Sequence, residues 1–135
     1  MSLAIRFPYH EHPNHGSIPA TVVNVLGRRF HVPVLAVIDS GATLPIFHES
    51  IAVQAELRLE LGERMTVEFG GSTATGKLIR TAVLIEHYRA DVDVFYTDDL
   101  RLPYALLGRR SFFSGFKNVS FYEKIFPHQV ELRLD

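Results

Sequence analysis

The sequence predicts an all-β domain, a small barrel or sandwich carrying one or two short helices. Three observations carry this prediction. Short runs rich in Val, Ile, Thr, Phe and Tyr recur at regular spacing, separated by Gly, Pro, Asn and Asp. Few stretches place apolar residues at helical intervals. The 135 residues, 47% hydrophobic and 21% charged, are enough for one domain with a packed core and too few for two.

The elements follow in chain order. Residues 6–19 are rich in Pro, His, Asn and Gly and read as an arm or loop before the first strand. This divides the chain into an N-terminal arm, residues 1–17, and a domain, residues 18–135. Residues 21–26 and 30–38 are β-rich, with Gly27-Arg28 as a turn, and predict a hairpin. Pro33 inside the second run predicts an edge or a bulge, because proline cannot donate to a ladder. That run ends in Leu35-Ala36-Val37-Ile38, apolar on successive residues, as in a strand buried on both faces.

Residues 47–57 are the best helix candidate, with Phe47, Ile51 and Ala55 four apart. Leu57, Leu59 and Leu61 then alternate with charged residues like a strand. Residues 66–69 and 77–86 flank a glycine-rich tip, Gly70 to Gly76, expected to be a mobile hairpin end. Residues 90–96 alternate again. A short helix is expected over residues 109–116, and closing strands around 119–122 and 129–134.

Composition narrows the function. A net charge of −1 gives no electrostatic reason to expect nucleic acid or an anionic membrane as a partner. No stretch approaches the length needed to span a bilayer, and the N-terminus lacks the apolar run of a signal peptide, so a cytoplasmic protein is expected. With no cysteine, disulfides, thiolate chemistry and cysteine-ligated metals are excluded. His10, His12 and His15 with Glu11 form a conspicuous cluster, but no closed ligand set is visible, and neither metal nor cofactor is expected. Asp98-Asp99 reads as a solvated turn, and Phe112, Phe113, Phe116, Phe121 and Phe126 as core and interface aromatics.

The chemistry concentrates at Asp39-Ser40-Gly41-Ala42-Thr43. An apolar strand that ends in Asp-Ser-Gly delivers a carboxylate to the edge of a core. Gly41 lets backbone N–H groups approach that carboxylate, Ser40 offers a hydroxyl that can donate and accept, and Ala42 leaves room for a substrate or a second chain. This pattern predicts half of an aspartic-protease site. Two carboxylates are needed, one as base toward a water and one as acid toward the scissile carbonyl.

The segment from Val37 to Thr43 resembles the active-site loop of retropepsins, the retroviral proteases and their cellular and bacterial relatives. Further features stand in the order the family requires. A hairpin precedes Asp39, a glycine-tipped hairpin over residues 66–78 resembles the family's flap, and Leu106-Leu107-Gly108-Arg109 resembles its apolar-apolar-Gly-Arg motif. The resemblance implies a closed acid-protease-type barrel and an aspartic endopeptidase acting on peptides or proteins. It implies a homodimer, with Asp39 of each chain meeting at the two-fold axis. By the same resemblance Ser40 bonds across the axis, Gly41 lines the peptide site, Ala42 belongs to the active-site loop, and Gly70, Gly71 and Ser72 bond substrate through their backbones. The last strands match the dimer-forming terminal segment in position only.

Retroviral enzymes carry an aspartate where this chain has Thr43, paired with the arginine of the Gly-Arg motif. Arg109 must therefore find another partner or face solvent. Singly, each motif also has a plain reading: Asp-Ser-Gly as a turn, Leu106-Leu107-Gly108 as a core strand ending at glycine, residues 70–76 as a loose hairpin. Their joint order favours the peptidase. A catalytically silent dimerisation or peptide-binding module of the same fold, or a small barrel holding a small molecule, stand as alternatives.

Overall fold

In the computed structural model, which describes residues 3–135, one strand pairing closes most of the chain into a ring. Strands β1 (Ala4–Pro8), β2 (His10–His12), β3 (Gly16–Ile18), β4 (Ala20–Leu26), β5 (His31–Ile38) and β6 (Ile46–His48) are followed by helix α1 (Glu49–Gln54). Strands β7 (Glu63–Phe69), β8 (Ser72–Ile85), β9 (Tyr88–Thr97), β10 (Ala105–Leu107), β11 (Asn118–Tyr122) and β12 (Gln129–Arg133) complete the order. The main sheet runs β4-β5-β10-β6-β9-β8-β7. A pairing of β4 with β8, at Asn24↔Leu84 and Val25↔Val83, joins its ends. The all-β prediction is met in this ring-forming sheet.

Strand alternation gives the ring two packed faces. Residues of one parity form the main core: Val23 and Val25 on β4, Ala36 and Ile38 on β5, Val92, Val94 and Tyr96 on β9, and Leu107 on β10. The opposite parity builds a second cluster from Ile46, Phe95 and Leu106, with Val37 and Leu78 packed against it. The run Leu35 to Ile38 thus serves both faces, as its unbroken apolar character predicts. In the main core the Tyr96 hydroxyl lies 3.0 Å from Thr81 Oγ1, which itself donates to the Ile79 carbonyl at 3.1 Å. A hydroxyl has one proton to give, so Tyr96 donates to Thr81. Burial pushes the Tyr96 phenol up to about 12.

Pro33 sits where the sequence places it. It pairs with Asn24 of β4, while β10 reaches only Ala36 to Ile38, so this part of β5 is an edge. The β4–β5 hairpin forms as predicted, its turn closed by the Gly27 N–H donating to the Phe30 carbonyl at 3.1 Å.

Other expectations need correction. The helix predicted over 47–57 is confined to α1, because Phe47 belongs to β6 and the backbone turns to φ 59° at Glu56. Leu59–Leu61 form a 3-10 turn and no strand. The second helix, expected over 109–116, reduces to a 3-10 turn at Phe113–Gly115, because Ser111 has φ 72° and breaks the helical path. Its aromatics still bury: Phe112 and Phe116 stack edge-on in the main core, 5.1 Å apart. Phe126, expected in the core or an interface, is 89% exposed in this chain.

The loop reading of residues 6–19 is also corrected. Here β1 pairs antiparallel with β12, and β2 with β3. Alternating buried Phe7 among Pro and His was too short a signal to read as a strand. The resulting sheet runs β1-β12-β11, with β12 in the middle. At its centre Glu131 is 2% exposed, and the Arg6 Nε lies opposite it at 2.6 Å. Arg133 Nη2 reaches the other carboxylate oxygen at 3.2 Å.

These guanidinium contacts, the Arg6 hydrogen bond first, hold the Glu131 carboxyl below its ordinary value of 4.5. A depressed carboxyl stabilises the fold fully above that value and loses its contribution as pH falls through the lower, folded one. Glu131→Gln should cost about 2 kcal/mol at neutral pH, the scale of hydrogen bonds to charged groups. Urea titrations at pH 7 and pH 3 check this: the gap between variant and wild type should narrow in acid.

Candidate active site

Asp39 stands one residue beyond the end of β5, at the rim of the second cluster. Its backbone is fixed first. The Asp39 N–H donates to the Leu107 carbonyl at 3.0 Å, continuing the β5–β10 ladder, and the Ala42 N–H returns to the Asp39 carbonyl at 3.2 Å. The chain therefore turns tightly, and Asp39 Oδ1 accepts the Gly41 N–H at 2.8 Å. A β-carbon on Gly41 would sit 3.2 Å from that same oxygen, so glycine keeps the approach open. Asp39 is half-buried, Ser40 and Gly41 are exposed, and Ala42 packs against the second cluster. Among the described residues the Ser40 hydroxyl has no partner in its own chain.

Leu107-Gly108-Arg109 braces this loop from behind. Leu107 pairs with Ile38, and Leu106 with Ile46, so β10 lies between β5 and β6. The Arg109 N–H donates to the Ala42 carbonyl at 3.0 Å and the Arg110 N–H to the Thr43 carbonyl at 2.8 Å. Gly108 fits because it lacks a side chain: a β-carbon there would lie 2.5 Å from the Leu44 carbonyl and 2.8 Å from that of Ala42. The motif's link to the Asp39 loop is thus made by backbone. The Arg109 side chain faces solvent, and among the described residues it joins no ion pair.

A cleft of roughly 650 Å³ opens over the loop. Asp39, Gly41 and Ala42 lie along one side, with Leu44, Ile46 and Leu106 from the second cluster as an apolar floor. The β7–β8 hairpin contributes Met65, Val67, Glu68 and Gly70. Gly71 and Ser72 do not line it, although both belong to the same hairpin end. Sequence reading missed Met65, Val67, Glu68, Leu102 and Arg110 as cleft residues. Only the alternation of Met65 and Val67 within β7 could have hinted at them.

The tip of that hairpin is tighter than expected. Phe69 pairs with Ser72, leaving Gly70 and Gly71 as a two-residue turn at φ 59° and 78°. Positive φ at both centres is the type I′ pattern that matches the twist of the flanking strands. Gly76 belongs to β8, where a side chain would strike the Tyr96 carbonyl. The hairpin is also fastened at its root. The Thr75 N–H donates to Asp99 Oδ2 at 3.0 Å, and Thr97 Oγ1 donates to the Thr75 carbonyl at 2.8 Å. Asp98-Asp99 does form a turn, but Asp99 is half-buried and tethers β8.

No histidine lines the Asp39 cleft. His12 and His15 pack edge-on at 4.8 Å, and both stack against Tyr104. Desolvation, then the charges of His15 and His10, hold the His12 imidazole below its usual value. Among the described residues no group of three or more His, Cys, Asp or Glu is placed to hold a metal ion. Among the described residues no helix is long and apolar enough to cross a membrane.

No protein-family model matches the sequence, and no curated protein matches it significantly. Solved structures do share its fold. A retropepsin-like aspartic protease from Rickettsia conorii superposes with a TM-score of 0.63 at 16% identity, covering 96% of this chain and 98% of its own. EIAV protease, complexed with the inhibitor HBY-793, gives 0.54 at 16% identity, over 73% of this chain and 88% of its own. The retroviral protease-like domain of Ddi1 from Leishmania major gives 0.50 at 22% identity, over 68% and 74%. The fold is retropepsin-like.

Gly108→Ala should loosen the Asp39 loop, since the added carbon meets two backbone carbonyls that cannot rotate away. The expected cost is about 3 kcal/mol, the upper range for overpacking. Denaturant unfolding measures it, and amide exchange at Ala42 and Arg109 should rise first.

Proposed function

We propose that the protein is an aspartic endopeptidase of the retropepsin type that works as a homodimer. The observation that carries this is Asp39 itself. Its carboxylate is held by the Gly41 N–H beside an apolar cleft, below a hairpin, on a retropepsin-like fold. One Asp-Ser-Gly per chain supplies one carboxylate, so the second comes from a partner copy. Two carboxylates brought together share a proton. The ionised one takes a proton from water as its oxygen attacks the scissile carbonyl carbon, and the protonated one donates to the carbonyl oxygen. The tetrahedral intermediate then collapses as the amide nitrogen is protonated and leaves. No covalent enzyme intermediate forms.

The remaining residues take roles around that step. Ser40 carries an exposed hydroxyl with no partner in its own chain, available to bond the partner's loop. The cleft between floor and hairpin takes an extended peptide. Gly70, Gly71 and Ser72 act as the flap, offering backbone groups to it once it closes. Leu107, Gly108 and Arg109 hold the loop in register through their main chain.

A second reading draws on β12. Both of its edges are covered by β1 and β11 of the same chain, so it is not free to pair with a partner. A dimer then meets through surfaces other than β12, among them the Asp39 loop and the outer edges of β1 and β11. If that contact fails to bring the two loops together, the fold serves as a silent peptide-binding module.

Digestion of a peptide library across acid and neutral pH tests the proposal, with sedimentation analysis of the same sample. The expected result is cleavage by a dimer and a loss of about 10⁴-fold in Asp39→Asn, the scale of removing an essential catalytic group. Cleavage that survives Asp39→Asn would sink the peptidase reading. A monomer that binds peptides without turnover selects the silent module.

A further inference from the structure

Beside the cleft, Thr43, Arg109, Arg110, Ser111 and Ser114 line an open pocket of roughly 490 Å³. The residues along it are two exposed arginines, one threonine and two serines, with no acid among them. The ion pairs among the described residues engage Arg6, Arg29, Arg58, Arg80, Arg89 and Arg133, never Arg109 or Arg110. Acids on the adjoining wall are already engaged. Asp93 pairs with Arg80 at 3.3 Å and Asp91 with Arg89 at 3.2 Å.

The donors are positioned by backbone. The Arg109 and Arg110 N–H groups are anchored to the Ala42 and Thr43 carbonyls, which sets the origin of both side chains. Ser111 Oγ accepts the Asp93 N–H at 2.7 Å, leaving its own proton free to donate. Ser114 is held through its N–H to the Arg109 carbonyl at 3.2 Å. Planar guanidinium forks with hydroxyls beside them match a carboxylate or phosphate. Thr43 and Arg110 also line the Asp39 cleft, so pocket and cleft adjoin.

We propose that this pocket is an anion-binding site and that its occupant is the carboxylate of an acidic residue in a peptide lying in the Asp39 cleft. The occupant rests on the peptidase reading; the anion site does not. An acidic side chain entering here would fix the peptide's register over Asp39 and make the protein selective for Asp or Glu at one position.

The test uses the full chain in two arms. In the first, inorganic phosphate and succinate are titrated into the wild-type protein at low salt, with backbone amide shifts as the readout. Binding should be lost in Arg109→Gln/Arg110→Gln, and also in Thr43→Asp, which supplies an acid from within and keeps the test valid if the double variant fails to fold. In the second arm, randomised peptides are selected on the Asp39→Asn protein, which reads binding without turnover. Asp or Glu should be enriched at one position, and the matched Asn or Gln peptide should bind about tenfold more weakly, the scale of one charged hydrogen-bonded contact. Selected peptides with no acid preference, or a preference untouched by the pocket variants, would overturn the acidic occupant. Absence of phosphate and succinate binding overturns the anion site, and the peptidase reading survives if uncharged peptides are cut. Arginine-dependent anion binding with no peptide selected overturns the peptide occupant and leaves a site for a free anion, while the peptidase reading is decided by cleavage alone.

Discussion

The three residues of β10 are the constraint on which the rest depends. Ala105 to Leu107 lie parallel to β5 and antiparallel to β6, and so join the two halves of the ring. Without them β5 would end in solvent and Asp39 would have no fixed start. With them the Asp39 N–H has a carbonyl to meet, at Leu107. The residue that follows must then pass under the Leu44 and Ala42 carbonyls, which only glycine permits. A short strand, a glycine and two arginine amides thus determine where one carboxylate sits.

The two-sided packing of the ring explains why that carboxylate borders an apolar surface. Near the cleft, the end of β5, the end of β9 and β10 are apolar at both parities, because one face fills the interior and the other floors the cleft. Val37 and Leu106 belong to the outer cluster, while their neighbours Ala36, Ile38 and Leu107 belong to the inner one. Stability and the floor of the cleft are therefore built from the same strands. A substitution at Leu106 acts on the cleft, and one at Leu107 acts on the core, although the residues are adjacent.

Much of this was legible in the sequence, where local chemistry and tertiary context agree. The continuous run Leu35 to Ile38 implied burial on both faces, Pro33 implied an edge, and Asp39-Ser40-Gly41 implied a carboxylate approached by backbone. Reading failed where a single backbone angle decides. Nothing in the composition around Ser111 announces φ 72°, yet that angle replaces a helix by one turn and shapes the pocket beside it. Residues 4–8 were missed because a strand with one buried side chain, Phe7, has almost no alternation to detect. Its partner β12 lies at the far end of the chain. The cleft residues of β7 escaped because facing the site depends on how the hairpin folds over the ring, which periodicity cannot express. Gly76 looked like part of a loose tip, but its role is steric, set by the Tyr96 carbonyl.

The β1–β12 pairing also bears on the order in which the molecule assembles. The Arg6–Glu131 contact closes a loop of 125 residues, whereas β7 and β8 meet across a two-residue turn. Loop-closure entropy rises with length, so distant strands gain from pairing only after the intervening chain has compacted. This separation predicts that the hairpins and the ring form first and that β12 then receives β1. Refolding followed by pulsed amide exchange would register this as late protection in β1. A nascent chain leaving the ribosome holds residues 4–8 unpaired until nearly all the remainder has been synthesised, which makes that strand the one most in need of shielding during biosynthesis.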